Sequence, residues 1–289
     1  MEDVSGGVPS GESRPVDVRW LSGLLVAALT FAVLIHVYSE EEGIRTYALR
    51  TVEVRVDSLG QIIPINDSLV QPVLYSHISG FESLNPEQNK RLFIAALLPS
   101  ILVVKHTLEQ DLTRVNHLLT KERWTKRDSA FYESQKARYH ASNLESLLTR
   151  MMTLPNSIVL AQAAVETGWG RSRFFLEANN VFGIWSYNPD EPRIRAGSMR
   201  DSMEIYVRSY DNFAQSVQDY FRTLGSARAY MSLRKARMDT NDPYHLLTHL
   251  GRYSERGTDY IRQLRTIIEQ NDLTRFDRYR IDPSFLVEE

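Results

Sequence analysis

Gln162 and Glu166 stand four residues apart in a run from Ile158 to Gly170 that is otherwise apolar on most sides. On a helix that spacing puts both on one face. Leu154-Pro155-Asn156-Ser157 is a helix-start signal ahead of the run, and Gly168 and Gly170 end it. Ala161, Ala163 and Ala164 have little volume, so neighbouring helices can approach closely and the helix is expected to be central. A carboxyl group near the end of such a helix either pairs with a cation or is pushed above its ordinary pKa by desolvation. In the second case it keeps a proton near neutral pH for donation to a leaving oxygen. Arg171 and Arg173 are the cations at hand for a structural ion pair, and spacing leaves both outcomes open.

Other chemistries are poorly represented. His245 and His249 have the spacing of a helical zinc pair, but Leu246 replaces the glutamate of HExxH and no third ligand is evident, so no metal or other cofactor is expected. The 289 residues contain no cysteine, which excludes thiol catalysis and disulfides. With 34 basic and 36 acidic side chains the net charge is -2, and no long block of like charge suggests nucleic acid. Arg228, Arg234, Lys235 and Arg237 form a local basic patch that reads as a solvated helix surface, or at most a contact with anionic polymer. No Gly-rich phosphate loop and no Gly-x-Ser-x-Gly elbow occurs.

The elements that must position Glu166 also leave signals. Val52, Val54 and Val56 alternate with Glu53, Arg55 and Asp57, the period of a half-buried strand. Asn85-Pro86-Glu87-Gln88 predicts a helix start, and the apolar run Leu92–Val104, interrupted by Pro99, predicts a kinked or divided core helix. Lys105 to Met152 is charged and helical in composition, with Leu112, Val115, Leu118, Leu119, Leu144 and Leu147 spaced by threes and fours. Met203, Ile205 and Val207 alternate with Glu204, Tyr206 and Arg208, which predicts a strand with Glu204 on its polar face. Residues 20–38 carry no formal charge apart from the neutral His36 and, as a helix, span roughly 28 Å. The run ends in Ile35, Val37 and Tyr38 rather than a small-x-small cleavage site, so an uncleaved transmembrane anchor is expected. Trp20 and Tyr38 suit the headgroup layer. Arg14 and Arg19 before the span suggest a short cytoplasmic tail and an exported body, although Arg45, Arg50 and Arg55 leave the basic count undecided.

The runs AQAAVETGWG at 161–170, ANNVFGIW from Ala178, VRSYDNFAQSVQDYFRTL from Val207 and GRYSERGTDYIRQLRTII from Gly251 resemble the glucosaminidase domain of glycoside hydrolase family 73. NKRLFIAALLPSI at Asn89 to Ile101 resembles the helix that precedes the catalytic domain in the Bax-type branch of that family. The likeness covers roughly residues 88–276. It implies an α+β, mostly α, lysozyme-like fold with a small β-lobe. The implied activity is endo-beta-N-acetylglucosaminidase cleavage of peptidoglycan glycan strands, at a bacterial inner membrane and facing the periplasm or cell wall. A lytic transglycosylase of the same fold, or an inactive peptidoglycan-binding scaffold, is the alternative.

Under this resemblance Glu166 falls on the catalytic acid and Trp169 is a candidate wall of the site. Asn179, Asn180, Phe182 and Gly183 occupy the family's NNLFG positions. Gln162, Trp169, Asn180, Phe182 and Tyr206 are the candidate substrate-binding residues, with Phe182 equally readable as a core aromatic. Among Tyr206, Tyr210, Phe213, Tyr220, Phe221 and Tyr230 most should be core, with one or two stacking on sugar rings. Glycoside hydrolysis usually needs a second carboxylate. Glu204 takes that place, with Glu191 and Asp190 in the preceding loop as competitors. The family's late tyrosine motif, GYATD, is matched loosely by Gly251-Arg252-Tyr253-Ser254-Glu255, which favours Tyr253 over Tyr260 as the third catalytic residue. The expected organisation is a cytoplasmic tail at 1–19, an anchor at 20–38, a membrane-proximal segment at 39–87, a helical region at 88–150, the glucosaminidase domain at 151–276 and a tail at 277–289.

Overall fold

In the computed structural model, which describes residues 47–200 and 203–288, the helix predicted after Asn85 begins where its signals place it. Asn85 accepts a hydrogen bond from the Gln88 amide at 2.9 Å, and Pro86 opens α1 (Pro86–Thr120) where a missing N–H costs nothing. Pro99 does not divide this helix, as the sequence had suggested it might. The 35-residue element runs through it, and every side chain from Phe93 to Val104 is buried. Each apolar side chain buried there contributes about 1.5–3 kcal/mol, enough to offset one lost helical hydrogen bond. With an 18-residue window of mean hydropathy 1.6, α1 is long and apolar enough to cross a membrane, but 72% of that window is buried inside the fold. It is the central helix of the body. The anchor expected at 20–38, and the tail before it, lie outside the described residues.

Two further helices, α2 (Lys126–Tyr139) and α3 (Leu144–Arg150), pack on each other and on α1. Then comes α4 (Asn156–Thr167), whose small residues let α1 and the later helix α9 (Thr258–Gln270) lie close against it. Its first turn is held from both sides. The Ser157 amide and hydroxyl both donate to Asp277, at 2.7 and 2.8 Å, while Lys105 Nζ donates to Asn156 Oδ1 at 2.8 Å and to the Leu154 carbonyl at 3.0 Å. At the other end Gly168, Trp169 and Gly170 take φ values of 56°, 61° and 83°, turning the chain sharply away. Gly170 is required on two counts: its positive φ, and a Cβ there would stand 2.5 Å from a ring carbon of Phe81.

After the short α5 (Arg173–Ala178) the chain forms a small antiparallel sheet of β5 (Trp185–Ser186), β6 (Arg193–Arg200) and β7 (Met203–Arg208) in the order β5-β7-β6. The predicted alternation is partly seen: Val207 is buried and Glu204 exposed, whereas Ile205 and Tyr206 are both half-buried. Helices α6 (Phe213–Ser226), α7 (Met231–Asp239) and α8 (Pro243–Leu247) lead to α9. This is the α+β, mostly helical architecture with small sheets that the resemblance implied.

The segments on either side of this body pair with one another. β1 (Tyr47–Leu49) runs antiparallel to β9 (Leu286–Glu288), and β3 (Leu69–Val70) lies parallel to β8 (Arg280–Ile281). β2 (Val52–Arg55) pairs in parallel with β4 (Val73–Ser76). Thr46–Glu289 accordingly form one compact unit.

Candidate active site

Glu166 lies in the last turn of α4, and among the described residues no cation is within ion-pair distance of its carboxylate. Arg171 instead donates to the Leu84 carbonyl at 3.1 Å. Arg173 pairs with Glu177 at 2.9 Å and also reaches the Arg195 carbonyl. The structural ion pair left open by the sequence is therefore not formed. Glu166 keeps solvent-exposed surface yet is surrounded by enough protein that desolvation raises its pKa above the ordinary carboxylate range. A hydrogen bond from Tyr260 and the positive charge of Arg256 oppose that rise. A carboxyl whose pKa is raised by its surroundings and that solvent can still reach is the setting of a general acid.

The tyrosine that touches Glu166 is Tyr260, not Tyr253. The Tyr260 hydroxyl donates to Glu166 Oε1 at 2.9 Å. Tyr253 instead stacks on the Tyr260 ring, with centroids 5.7 Å apart and planes 6° from parallel, and its hydroxyl reaches the Phe182 carbonyl at 3.4 Å. The motif match favoured Tyr253; the signal for the contact that Tyr260 makes lies in α9, where Tyr260, Leu264 and Ile268 recur at four-residue spacing and form the buried stripe of the helix that packs on α4.

Three of the residues expected to bind substrate are interior. Gln162 is 0% exposed, and both ends of its amide are engaged: Tyr220 donates to Oε1 at 2.6 Å and Nε2 donates to the Tyr260 hydroxyl at 3.1 Å. Asn180 is buried and uses its amide to fasten the loop before β5, donating to the Ile184 and Arg208 carbonyls and accepting from the Ile184 amide. Phe182 is buried, its ring stacked 4.1 Å from that of Tyr220, so the core reading holds. Trp169 and Tyr206 are half-exposed. Trp169 meets Phe93 edge-on, and Lys90 sits over its ring.

Glu204 projects from β7 with both oxygens occupied, Oε1 by Arg195 at 2.7 Å and Oε2 by the Tyr206 hydroxyl at 2.7 Å. Each oxygen of a carboxylate can accept two hydrogen bonds, so capacity to hold a water is left. Its competitor Glu191 is bound to Arg208 at 3.1 Å, and Arg208 also grips Asp219, which takes Arg222 and Tyr210 as well. These charges compensate one another around a cavity of about 480 Å³. Asp190 is exposed. Sequence reasoning overlooked Tyr187, which is 81% exposed and lies 6.2 Å from Trp185, itself 38% exposed. The two follow each other at the two-residue spacing that puts strand side chains on one side.

Residues 141–273 match the glucosaminidase family model, described as mannosyl-glycoprotein endo-beta-N-acetylglucosaminidase. That part of the chain is thus similar to glucosaminidase domains, which are glycoside hydrolases. Among curated proteins it is similar to the protein bax of Escherichia coli, 29% identical over 135 residues, covering 44% of this chain and 46% of that one. It is also similar to the exo-glucosaminidase LytG of Bacillus subtilis, 24% identical over 160 residues, covering 50% of this chain and 52% of that one. The chain thus spans about half the length of the curated relatives it matches. Solved structures with a similar chain include the catalytic domain of the autolysin Auto from Listeria monocytogenes, 23% identical, covering 57% of this chain and 95% of that one with a TM-score of 0.37. Another is a glycoside hydrolase domain of FlgJ from Salmonella typhimurium, 21% identical, covering 48% and 97% with a TM-score of 0.34.

Proposed function

We propose that the protein is a membrane-anchored peptidoglycan hydrolase that cleaves glycan strands at N-acetylglucosamine as an endo-beta-N-acetylglucosaminidase, with Glu166 as the general acid. The supporting observation is the state of Glu166: accessible to solvent, desolvated, without a counter-cation among the described residues, and held through one oxygen by Tyr260. Glu166 protonates the glycosidic oxygen. The cation that develops on the sugar is met by Glu204, through a water or directly, or by the substrate's own acetamido group. Trp185 and Tyr187 give the β-lobe an aromatic surface on which sugar rings stack. The uncharged span at 20–38 holds the domain at the inner membrane, on the periplasmic or cell-wall side.

Digestion of purified peptidoglycan by the full-length chain in detergent, followed by mass spectrometry of the fragments, tests this reading. Oligomeric fragments with reducing N-acetylglucosamine ends are expected, and Glu166→Gln should abolish their release while keeping the fold. Release of single end units would indicate exo cleavage, and anhydro-muramyl ends a lytic transglycosylase. Equal release by Glu166→Gln would remove Glu166 as the acid, and no release by the parent, with peptidoglycan binding the same in parent and variant, would leave only a peptidoglycan-binding scaffold.

A further inference from the structure

A tyrosine hydroxyl has one proton to give, and which way Tyr260 gives it is fixed two residues away from the reacting atoms. Gln162 Nε2 can only donate, so by donating to the Tyr260 oxygen it leaves the Tyr260 proton to Glu166 Oε1. Turned over, the same amide would present its oxygen to Tyr260, capture that proton and release Glu166. Tyr220 prevents the reversal. Its hydroxyl donates to Gln162 Oε1 at 2.6 Å, and a reversed amide would put an N–H there in place of that acceptor and leave the Tyr220 O–H without one. Gln162 and Tyr260 are 0% exposed and Tyr220 1%, so water does not substitute for a missing partner, and each mismatch would leave a buried polar atom unpaired.

We infer that the pair Tyr220–Gln162 sets the direction of the Tyr260 hydroxyl and thereby assigns the catalytic proton to Oε2 of Glu166, the oxygen that Tyr260 does not hold. Neither residue touches substrate; both act as positioning residues. The inference rests on Glu166 being the acid. The groups facing that carboxyl are Tyr260 on α9, Arg256 and Tyr253 just before it, Tyr220 on α6 and Tyr230 at the turn before α7. Arg256 is the charged one, and it also lies over the Tyr260 ring, 5.4 Å from the centroid. Because the Tyr260 bond favours the ionised carboxylate, weakening it lets Glu166 keep its proton to higher pH.

The experiment is the pH profile of kcat/KM for peptidoglycan cleavage by the full-length chain. Tyr260→Phe should move the alkaline limb upward by about one pH unit, the value of one hydrogen bond to a charged group. Tyr220→Phe, which keeps the ring and deletes only the distant hydroxyl, should move the limb the same way by several tenths of a unit, lowering kcat with KM unchanged. Gln162→Met, which deletes the amide oxygen able to capture the Tyr260 proton, should leave the limb in place and should cancel the shift when combined with Tyr220→Phe. The double variant Tyr220→Phe, Tyr260→Phe should go no further than Tyr260→Phe alone, since the chain of bonds ends at Tyr260. Tyr139→Phe, at another fully buried tyrosine, should leave the profile in place. A limb unmoved by Tyr220→Phe, a limb moved by Gln162→Met, or shifts that add in the Tyr220→Phe, Tyr260→Phe variant would overturn the relay while leaving Glu166 as the acid. Full turnover by Glu166→Gln would instead remove the reading on which the relay rests.

Discussion

Gly170→Ala tests how rigidly the turn behind Glu166 is built. The position has φ 83°, where an alanine is strained by about 1–2 kcal/mol. The added methyl would stand 2.5 and 2.6 Å from two ring carbons of Phe81 and 3.0 Å from one of Phe93. Both rings are 0% exposed and neither can swing into solvent. Overpacking of this kind costs about 1–3 kcal/mol, so the total is about 2–5 kcal/mol. Gly168 supplies the internal comparison: its φ is also positive, at 56°, but nothing lies within 4 Å of the Cβ position, so Gly168→Ala should cost only about 1–2 kcal/mol. Urea unfolding followed by circular dichroism measures both, with an unchanged slope expected and the midpoint carrying the difference. Equal destabilisation by the two substitutions would refute the argument that ring contacts, rather than backbone strain, dominate at Gly170.

Two further predictions concern the body and the sheet. Lys105 is pressed into the core beside α4, and burial lowers its pKa from 10.5 to about 8. The unfolded chain therefore binds the extra proton between those values, so this group makes the fold more stable as pH rises from about 8 to 10.5, and its contribution levels off below about 8. Lys105→Met should flatten that rise in chemical denaturation series, and a slope unchanged by the substitution would contradict it. Trp185→Ala and Tyr187→Ala should each weaken binding of soluble N-acetylglucosamine oligomers several-fold, seen as a raised KM at little-changed kcat; affinities equal to the parent's would remove the stacking surface from the β-lobe.

What the sequence disclosed follows the range over which each signal acts. The Asn85 cap, the turn at Gly168 and Gly170 and the strand through Glu204 are written within a few residues, and each appears where it was read. Partnerships between distant segments left no periodic trace. Strands of two to four residues such as β1, β3, β8 and β9 are too short to show a pattern, so the pairing of the segment after residue 46 with the chain's end went unseen. Within the site, a polar residue on the Glu166 face reads as a ligand-binding group when α4 is considered alone. Only the approach of α6 and α9 turns Gln162 into an interior link between two tyrosines. That Tyr260 makes the contact with Glu166 was hidden for a related reason: a motif match weighs residue identity, whereas the register of α9 on α4 decides which ring reaches the carboxylate.

The pairing of Tyr47 with Glu288 places the point where the described chain starts and the point where it finishes side by side. A fluorophore or affinity handle fused behind Glu289 would therefore stand close to β1. Trimming the last three or four residues would strip β1 of its partner and loosen the segment at Tyr47–Leu49. C-terminal deletions should be scored for their effect on that strand.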